Sequence, residues 1–423
     1  MKFFLNYHLV IVFILSLHTA CSQESRPDYN TGSGFYVFEG KIYDPDGEEF
    51  IPMGYNTSVF WAGNDECKKT NMSKHIPNTG ANAVRIITQT QGAFGWNANP
   101  ESQRDLVERA VNAGVVPMLE MHNATCSEDE FETITSYWTT ESMVKICNDF
   151  EKYLWVNIAN EHNFETYEEW RDTYTSVVQD FREKGIKNLI VIDAGKFCGQ
   201  NPEMFMEFGN EVLNADPEKN VVFSIHLYGY WRTLEKSFTD WTPPFAVENE
   251  LPALKNEGLP LIIGEFGWDS PEGFAGNYEA ETIIQVCEEN GIGWFFWAFF
   301  DGEDKPYYSI LKDVCGGIGS SNLTNAGNYI LPYIKQNAKR ATIFEPLALE
   351  NTNLNNIKIF PNPTTGTFIV EGLKQSTEAQ ITTISGKKIS TFNIENGLLN
   401  LSTLAKGLYL IHIGSKSFKI LKE

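Results

Sequence analysis

Two apolar runs of this chain end in a glutamate, and they read Leu154-Trp-Val-Asn-Ile-Ala-Asn-Glu161 and Leu261-Ile-Ile-Gly-Glu265-Phe-Gly267. A β-strand that is covered on both faces reads as such a continuous apolar run. In α/β barrels, the residues that do chemistry lie at the carboxyl ends of these strands. We therefore predict that Glu161 and Glu265 close two strands of one barrel and meet at its mouth.

Six further apolar runs accompany these two. Together the eight runs are Phe50–Asn56, Ala83–Thr88, Val115–His122, Leu154–Glu161, Asn188–Gly195, Asn220–Tyr228, Pro260–Gly267 and Gly291–Phe299. Amphipathic stretches of helix length lie between them, and glycines typical of helix ends precede the next run, as at Gly114 and Gly185. The alternation predicts a (β/α)8 TIM barrel over residues 30–342. An open doubly wound sheet is the alternative, but no glycine-rich phosphate loop follows the first run.

The amino-acid composition and the apolar pattern of the chain change after the predicted barrel. Residues 343–356 are rich in Asn and Leu and are predicted to form a linker. Short β-type runs follow over residues 357–423, separated by Gly, Pro and Asn, and they predict a small β-sandwich. Beyond residue 350 there are eight Lys and four Glu, with no Arg or Asp, so this part carries +4 and the remainder −26 of the net −22. The change of charge supports a domain boundary.

Composition and charge restrict the possible partners. The 423 residues are enough for a large barrel and a small second domain. A net charge of −22 disfavours nucleic acid and anionic membranes, because both would be repelled. A neutral polysaccharide would not be repelled. Exposed aromatic side chains suit sugar rings, although most of the aromatic residues are expected to fill the core.

The amino terminus has the pattern of a targeting segment. Residues 9–17 form an apolar stretch that is too short to span a bilayer, and small residues follow it. We interpret residues 1–22 as a cleaved export signal. An alternative is a lipoprotein signal, in which Cys21 would carry the lipid.

Six cysteines lie beyond this segment: Cys67, Cys126, Cys147, Cys198, Cys287 and Cys315. An even number in an exported chain suggests disulfides, but the sequence leaves the pairing open, and two or more could be buried free thiols. No Cys-x-x-Cys or His-x-x-x-His pair occurs, so a zinc site has little support. We expect neither a metal nor another cofactor, because the chemistry inferred below requires none.

Polar and aromatic residues stand at the ends of most of the predicted strands. They occur in Asn82-Ala-Val-Arg-Ile, Met118-Leu-Glu-Met-His122, Asn160-Glu161, Phe223-Ser-Ile-His-Leu-Tyr228 and Trp294-Phe-Phe-Trp-Ala-Phe-Phe300. With Glu265, the set is Arg85, His122, Asn160, Glu161, His226, Tyr228, Glu265 and Trp297. In type and order, these residues resemble those of glycoside hydrolase family 5, in clan A. The resemblance spans residues 30–335.

Glycoside cleavage suits this arrangement. A retaining mechanism needs two carboxyl groups about 5–5.5 Å apart, which neighbouring strand tips can supply. The resemblance implies that Glu161 is the acid/base and Glu265 the nucleophile. It further implies that Asn160 bonds the sugar 2-hydroxyl and that Tyr228 orients the nucleophile.

The remaining members of the set are expected to support these groups. Arg85 would hold the nucleophile charged or serve only as a core ion pair, and Trp297 would form the floor of the sugar site. His122 and His226 are either buried scaffolds or sugar contacts. Trp61, after the first run, either lines a subsite or packs.

Several phrases resemble the β-mannanase branch of the family, including Val116-Pro-Met-Leu-Glu-Met-His-Asn-Ala-Thr125 and Ile262-Ile-Gly-Glu-Phe-Gly267. They imply endo-cleavage of β-1,4-mannan, with β-1,4-glucan as the alternative substrate. A non-catalytic glycan-binding protein is the alternative from another class. One departure is His162, which stands where proline commonly follows the acid/base glutamate, so the plus-side sugar preference is left open.

The carboxyl-terminal region resembles a type IX secretion sorting domain in Ile357-Lys-Ile-Phe-Pro-Asn-Pro-Thr-Thr-Gly366 and Leu404-Ala-Lys-Gly-Leu-Tyr-Leu-Ile-His-Ile413. A carbohydrate-binding sandwich is the alternative. The resemblance implies contact with the secretion machinery and a secreted or cell-surface location, and it weighs against a lipid anchor at Cys21. We expect a monomer that acts on a polysaccharide.

Overall fold

The structure is a computed structural model. It describes residues 25–60, 65–93, 98–238, 241–268, 278–302, 305–344, 358–371, 377–383, 388–394, 397–413 and 416–423. The predicted signal segment with Cys21, Trp61 and most of the predicted linker lie outside these residues. The chain divides into two compact units between Thr342 and Ile343.

The first unit is built on a closed barrel of eight parallel strands. These strands are β3 (Met53–Ser58), β4 (Ala83–Thr88), β5 (Val116–Met121), β6 (Trp155–Asn157), β7 (Ile190–Asp193), β8 (Val221–Leu227), β11 (Leu261–Phe266) and β12 (Gly293–Phe296). Each falls within or directly beside one predicted apolar run, and each is buried along its whole length. The pairing of β12 with β3 closes the ring, so the TIM barrel is confirmed and the open sheet is excluded.

Two short strand pairs accompany the barrel. An amino-terminal hairpin consists of β1 (Tyr36–Phe38) and β2 (Lys41–Tyr43), while β9 (Trp231–Arg232) pairs with β10 (Phe245–Ala246). Phe35, just ahead of the hairpin, makes edge-to-face contacts with Phe50 and with Trp155, the first residue of β6. Aromatic side chains therefore close the amino-terminal end of the barrel.

Helices cover the outside of the barrel. They are α1 (Asp65–Thr70), α2 (Ile76–Thr79), α3 (Pro100–Asn112), α4 (Phe131–Trp138), α5 (Glu141–Asp149), α6 (Tyr167–Glu183), α7 (Glu203–Ala215), α8 (Val247–Asn256), α9 (Ala280–Asn290) and α10 (Asn325–Asn337), with a π-helical turn at Asn71–His75. The start of α3 shows how the sequence sets a boundary, because Asn99 accepts a hydrogen bond from the backbone of Ser102 and Pro100 fills the first helical position. Gly114 follows the helix with φ of 72°, as predicted for a helix-stop glycine. None of the described helices combines the length and the apolarity that a bilayer-spanning segment requires.

The described residues of the second unit form seven short strands, which lie in the region where short β-type runs were predicted. They are β13 (Lys358–Phe360), β14 (Thr367–Glu371), β15 (Thr377–Thr383), β16 (Lys388–Ile394), β17 (Leu398–Asn400), β18 (Gly407–Ile413) and β19 (Lys416–Lys422). They form a three-stranded sheet in the order β13-β14-β17 and a four-stranded sheet in the order β16-β15-β18-β19. Phe368 and Leu399 of the first sheet share an apolar core with Ile381 and Ile411 of the second. The all-β carboxyl-terminal region is therefore confirmed.

Candidate active site

A cavity of about 500 Å³ opens at the carboxyl ends of the barrel strands. Six of the residues singled out from the sequence line it: His122, Asn160, Glu161, Tyr228, Glu265 and Trp297. Arg85 and His226 are also close to the carboxylates, but they are fully buried behind the cavity wall. Trp61 lies outside the described residues. The volume lies in the range of small-ligand sites.

Glu161 and Glu265 come together at this mouth, although 104 positions separate them in the sequence. One carboxylate oxygen of each lies within 4.8 Å of the other and of a ring nitrogen of His226. Only 6% of Glu161 and 4% of Glu265 are exposed, and that exposed surface faces the cavity. Both carboxyl groups can therefore reach one atom of a bound molecule while bulk water is largely excluded.

Glu265 is held by two strong donors. Arg85 donates from Nη1 to Oε1 over 2.6 Å, and the hydroxyl of Tyr228 donates to Oε2 over 2.9 Å. Burial, together with the charge of Glu265, raises the pKa of Tyr228 well above its usual value, so the phenol keeps the proton that it donates. Both interactions favour the ionised form of Glu265.

Glu161 has a different set of neighbours. Its Oε1 lies 2.7 Å from Nδ1 of His226, and its backbone N–H donates to Oδ2 of Asp193 over 3.2 Å. Burial and the charges of Arg85 and His122 lower the pKa of His226 well below its usual value, so the imidazole is neutral. A neutral ring that presents Nδ1 as an acceptor would take a hydrogen bond from a protonated Glu161.

The electrostatics separate the two glutamates. Burial, with the charges of Glu265 and Asp193, raises the pKa of Glu161 well above its usual value, against the effect of Arg85. Burial raises the pKa of Glu265 only to about 7, because Arg85, His122 and the Tyr228 hydroxyl counteract it. Two adjacent carboxyl groups titrate as a pair. Within this pair the proton belongs on Glu161 and the negative charge on Glu265.

Arg85 is the centre of a buried polar network. Its guanidinium donates to Asn56, Asn157 and Asn160 over 3.0, 2.9 and 2.7 Å, besides its bond to Glu265. Burial opposes its charge, but nearby Glu120, Glu265 and Asp193 outweigh this effect and raise the pKa of Arg85. One guanidinium faces several buried carboxyl groups, and burial raises the pKa values of Asp193, Glu161 and Glu265, which favours a bound proton in this network.

The rest of the cavity wall includes Asn160, His122 and Trp297. Asn160 accepts from Arg85 and donates one amide hydrogen to Thr125 Oγ1 over 2.9 Å, which leaves its second amide hydrogen for another acceptor. Nδ1 of His122 lies 2.8 Å from Oε1 of Glu120. The His122 ring stacks on Trp297, with ring centroids 5.8 Å apart. The indole ring thus has a fixed orientation at the cavity wall.

Several site residues were missed by the sequence reasoning. Glu120 and Asp193 are fully buried beside Arg85, and the signal for each was a carboxylate inside an otherwise apolar run. Gln200 accepts from the backbone N–H groups of Tyr228 and Tyr230, and no pattern in the sequence indicated it. A further part of the wall is Tyr308, which follows the last barrel strand.

His162 does not line the cavity. It is buried between Phe131 and Phe164, with ring centroids 4.8 and 4.6 Å away, and burial lowers its pKa to about 4. The residue that replaces the common proline is therefore a neutral ring in an aromatic cluster.

Within the described residues, Glu161, His226 and Glu265 form a group close enough to hold a metal ion. A cation there would have to compete with Arg85, which lies 2.6 Å from Glu265. The donor set is therefore better suited to proton transfer than to metal binding.

Comparison with known proteins agrees with this geometry. Residues 43–302 match the family described as cellulase (glycosyl hydrolase family 5), and residues 358–423 match the secretion system C-terminal sorting domain. The sorting domain indicates secretion or attachment to the cell surface.

Similar proteins include the mannan endo-1,4-β-mannosidase of Salipaludibacillus agaradhaerens, 29% identical over 74% of this chain and 96% of that protein. The corresponding enzyme of Cellvibrio japonicus is 26% identical over 79% of this chain and 74% of that protein. Among solved structures, the Thermomonospora fusca β-mannanase in complex with mannohexaose is 25% identical, with a TM-score of 0.62 over 74% of this chain and 99% of that chain. Because the family match covers more than half of the chain, this protein belongs to glycosyl hydrolase family 5.

Proposed function

We propose that this glycoside hydrolase is an endo-acting, retaining enzyme that cleaves β-1,4-linked mannan. The observation that carries the retaining part is the pair of carboxylate oxygens within 4.8 Å of each other. An oxygen–oxygen distance of at most 4.8 Å is compatible with the carboxyl separation of about 5–5.5 Å in retaining enzymes, whereas inverting enzymes need about 6.5–9.5 Å to admit a water molecule. The mannan assignment is supported by the mannanase-like phrases and by the relatives that carry that activity.

In the first step, Glu265 attacks the anomeric carbon of the sugar. The bond from that carbon to the glycosidic oxygen breaks, and Glu161 transfers its proton to the departing oxygen. Arg85 and Tyr228 keep Glu265 ionised before the attack, while burial keeps Glu161 protonated. The products are a released sugar chain and a glycosyl ester on Glu265.

In the second step, Glu161 is a carboxylate and accepts a proton from water. The oxygen of that water attacks the anomeric carbon, and the ester bond to Glu265 breaks. When Glu265 becomes an ester it loses its charge, so the pKa of Glu161 falls and the residue can act as a base. His226 orients Glu161 in both steps.

Asn160 and Trp297 would bind the sugar at the cleavage point. The remaining amide hydrogen of Asn160 is available to the 2-hydroxyl, and this hydrogen bond strengthens as positive charge develops on the ring. Trp297 offers a flat face below the sugar.

The substrate assignment is tested by measuring reducing-sugar release from mannan, galactomannan and soluble cellulose side by side. We expect kcat/KM to be highest on an unbranched mannan. Equal or faster release from cellulose would replace the mannan assignment by an endo-β-1,4-glucanase. Viscosity measured in parallel should fall early in the reaction, as an endo-acting enzyme requires.

We also propose that the mature enzyme acts as a monomer, since the residues of a single chain already supply both glutamates and the partners that hold them. The full chain would consist of a signal segment that is removed on export (1–22), a catalytic domain (30–342), a linker (343–356) and a sorting domain (357–423). Light scattering of the secreted protein, with mass spectrometry of its termini, tests both statements. A dimer, or a mature protein that still carries residues 1–22, would contradict them.

A further inference from the structure

The disulfide between Cys126 and Cys198 lies in the wall of the cavity, next to Glu161. Both cysteines line the cavity, and Sγ of Cys126 is 3.6 Å from Oε2 of Glu161. This oxygen is not the one that faces His226, so the carboxyl group lies between the imidazole on one side and the disulfide on the other.

Hydrogen bonds join the same three loops around Glu161. The backbone N–H of Cys126 donates to the carbonyl oxygen of Glu161 over 3.1 Å, and that of Asn163 donates to Ser127 over 2.9 Å. From the third loop, the backbone N–H of Cys198 donates to Oδ1 of Asn163 over 3.3 Å. The loops after β5, β6 and β7 are thus hydrogen-bonded to one another around Glu161.

The backbone at this place is in an unfavourable conformation. Cys126, Glu161, Phe197 and Cys198 have φ values of 55°, 49°, 53° and 55°. They are four of the seven described non-glycine residues in the left-handed region. Residues with a Cβ atom avoid this region, and they keep it only where the surrounding structure enforces it.

Gly199 packs against Glu161 and His226. A Cβ atom at this position would lie 2.9 Å from Cγ of Glu161 and 3.2 Å from Nδ1 of His226, so the loop packs directly on the carboxyl group and its partner. Its φ of 74° is also left-handed. Three consecutive residues therefore hold this conformation beside Glu161, and the disulfide ties them to the neighbouring loop.

We propose that the Cys126–Cys198 disulfide is a positioning element that fixes the Glu161 carboxyl group against the leaving-group oxygen of the substrate. The proposal rests on the proposed function, in which Glu161 is the acid/base. Opening the disulfide lets the loops leave the left-handed region, and Glu161 then loses its fixed direction. Misplacement of a reacting group by about 1 Å can cost about 100-fold in rate.

The test uses the dependence of the rate on the leaving group. C126A/C198A is compared with the wild type on mannan, which needs a proton for its leaving oxygen, and on a dinitrophenyl β-mannobioside, which does not. We expect kcat/KM on mannan to fall roughly 10- to 100-fold and kcat/KM on the aryl glycoside to change by about twofold or less. Equal losses on both substrates, or no loss on mannan, would overturn the proposal.

The pH profile provides a second readout. Charged groups on four strands affect the pKa of Glu161: Arg85 on β4, Glu120 on β5, Asp193 on β7 and Glu265 on β11. His226 on β8 contacts the same carboxyl group. A displaced Glu161 would be farther from some of these groups, and its pKa would change. The alkaline limb of the pH–rate profile on mannan should therefore shift in C126A/C198A. An unmoved limb together with a loss of rate would indicate a structural role only and would overturn the proposal.

The second disulfide, Cys67–Cys315, supplies the matched control. Neither of its cysteines lines the cavity, so C67A/C315A should keep the wild-type ratio of the two kcat/KM values. In this background, a dithiol reductant transfers two electrons and two protons to Cys126–Cys198 and gives two thiols. Reduction should reproduce the leaving-group effect, and reoxidation should reverse it, even if C126A/C198A does not fold. Reduction that leaves the ratio unchanged would overturn the proposal.

E161Q separates this proposal from the proposed function. It should lose activity on mannan and keep kcat/KM on the aryl glycoside. If E161Q does not discriminate between the substrates, Glu161 is not the acid/base. If E161Q discriminates but the disulfide variant does not, only the positioning role fails.

Discussion

The two ends of the same barrel are closed by different chemistry. At the amino-terminal end, Phe35, Phe50 and Trp155 pack edge to face in a layer without charge. At the carboxyl-terminal end, Arg85 and several carboxyl groups are buried with almost equal completeness. Burial of aromatic rings is favourable by itself, whereas burial of charges costs free energy unless partners compensate for it. We infer that the first end contributes stability and the second end maintains a reactive site.

The largest expected effect is on activity at the carboxyl-terminal end. Glu265→Gln removes the proposed nucleophile but keeps an oxygen for Arg85 and Tyr228, so hydrolysis of mannan should fall roughly 10⁴-fold or more. Mannan binding should persist, and the melting temperature should stay the same or rise, because a buried negative charge is removed. Reducing-sugar assays, calorimetric titration and thermal unfolding measure the three quantities.

Glu281→Gln is the matched control for this variant, because Glu281 is exposed on α9 and away from the cavity. It should hydrolyse mannan at the wild-type rate. Hydrolysis by Glu265→Gln at more than one per cent or so of the wild-type rate would contradict the nucleophile assignment.

The next effect is on stability at the amino-terminal end. Phe35→Ala leaves a cavity between Phe50 and Trp155 and should lower the free energy of unfolding by about 3–5 kcal/mol. The kcat/KM of the folded protein should stay close to the wild-type value, because no atom of the site has moved. Urea unfolding and mannan kinetics below the transition test this, and a large loss of kcat/KM in folded protein would show that the two ends are coupled.

A smaller effect concerns the pH dependence of stability. The folded-state pKa of Glu265 is raised from 4.5 to about 7, and that of Glu161 is raised further. Between pH 4.5 and pH 7 these two groups bind more protons in the native state than in the unfolded state, so their contribution to stability is greatest at the acid end of this range and falls as the pH rises. The slope is about 1.4 kcal/mol per pH unit for each proton involved.

Thermal unfolding from pH 5 to pH 7 measures this slope in the wild type, Glu265→Gln and Phe35→Ala. The Gln variant should have a shallower slope, and Phe35→Ala should have the wild-type slope at a lower melting temperature. Equal slopes in all three proteins would mean that the buried glutamates do not control the pH dependence.

The strand framework was predictable because it depends on local information. Each barrel strand appears as an apolar run, and Arg85, His122 and Tyr228 lie within or at the end of such a run. The mutual arrangement was not predictable in the same way. Glu120 and Asp193 act on Arg85 from different strands, and their influence depends on strand register and burial.

The disulfides and the position of His162 illustrate the same limit. Six cysteines allowed many pairings, and the fold selects Cys67–Cys315 and Cys126–Cys198 while Cys147 and Cys287 stay buried as thiols. The replacement of proline by His162 indicated a change in a loop. The sequence alone did not show that the ring packs between Phe131 and Phe164.

The smallest expected effect comes from removing the second unit. A protein that ends at residue 342 keeps every described residue that lines the cavity, so its kcat/KM on mannan should be within about twofold of the full-length value. Its export should be lost, because the sorting domain is absent. Kinetics of the purified protein and immunodetection in the culture medium test the two halves of this statement, and normal export would contradict the second.

The most direct test of the account is to trap the ester that the retaining mechanism requires. A 2-deoxy-2-fluoro-β-mannobiosyl fluoride forms the glycosyl-enzyme readily but hydrolyses it slowly, because fluorine destabilises positive charge on the ring in both steps while fluoride is a good leaving group. Peptide mass spectrometry of the inactivated protein should find the sugar on Glu265. A label on Glu161 or on any other residue, or an active enzyme that is never labelled, would contradict the roles assigned to the two glutamates.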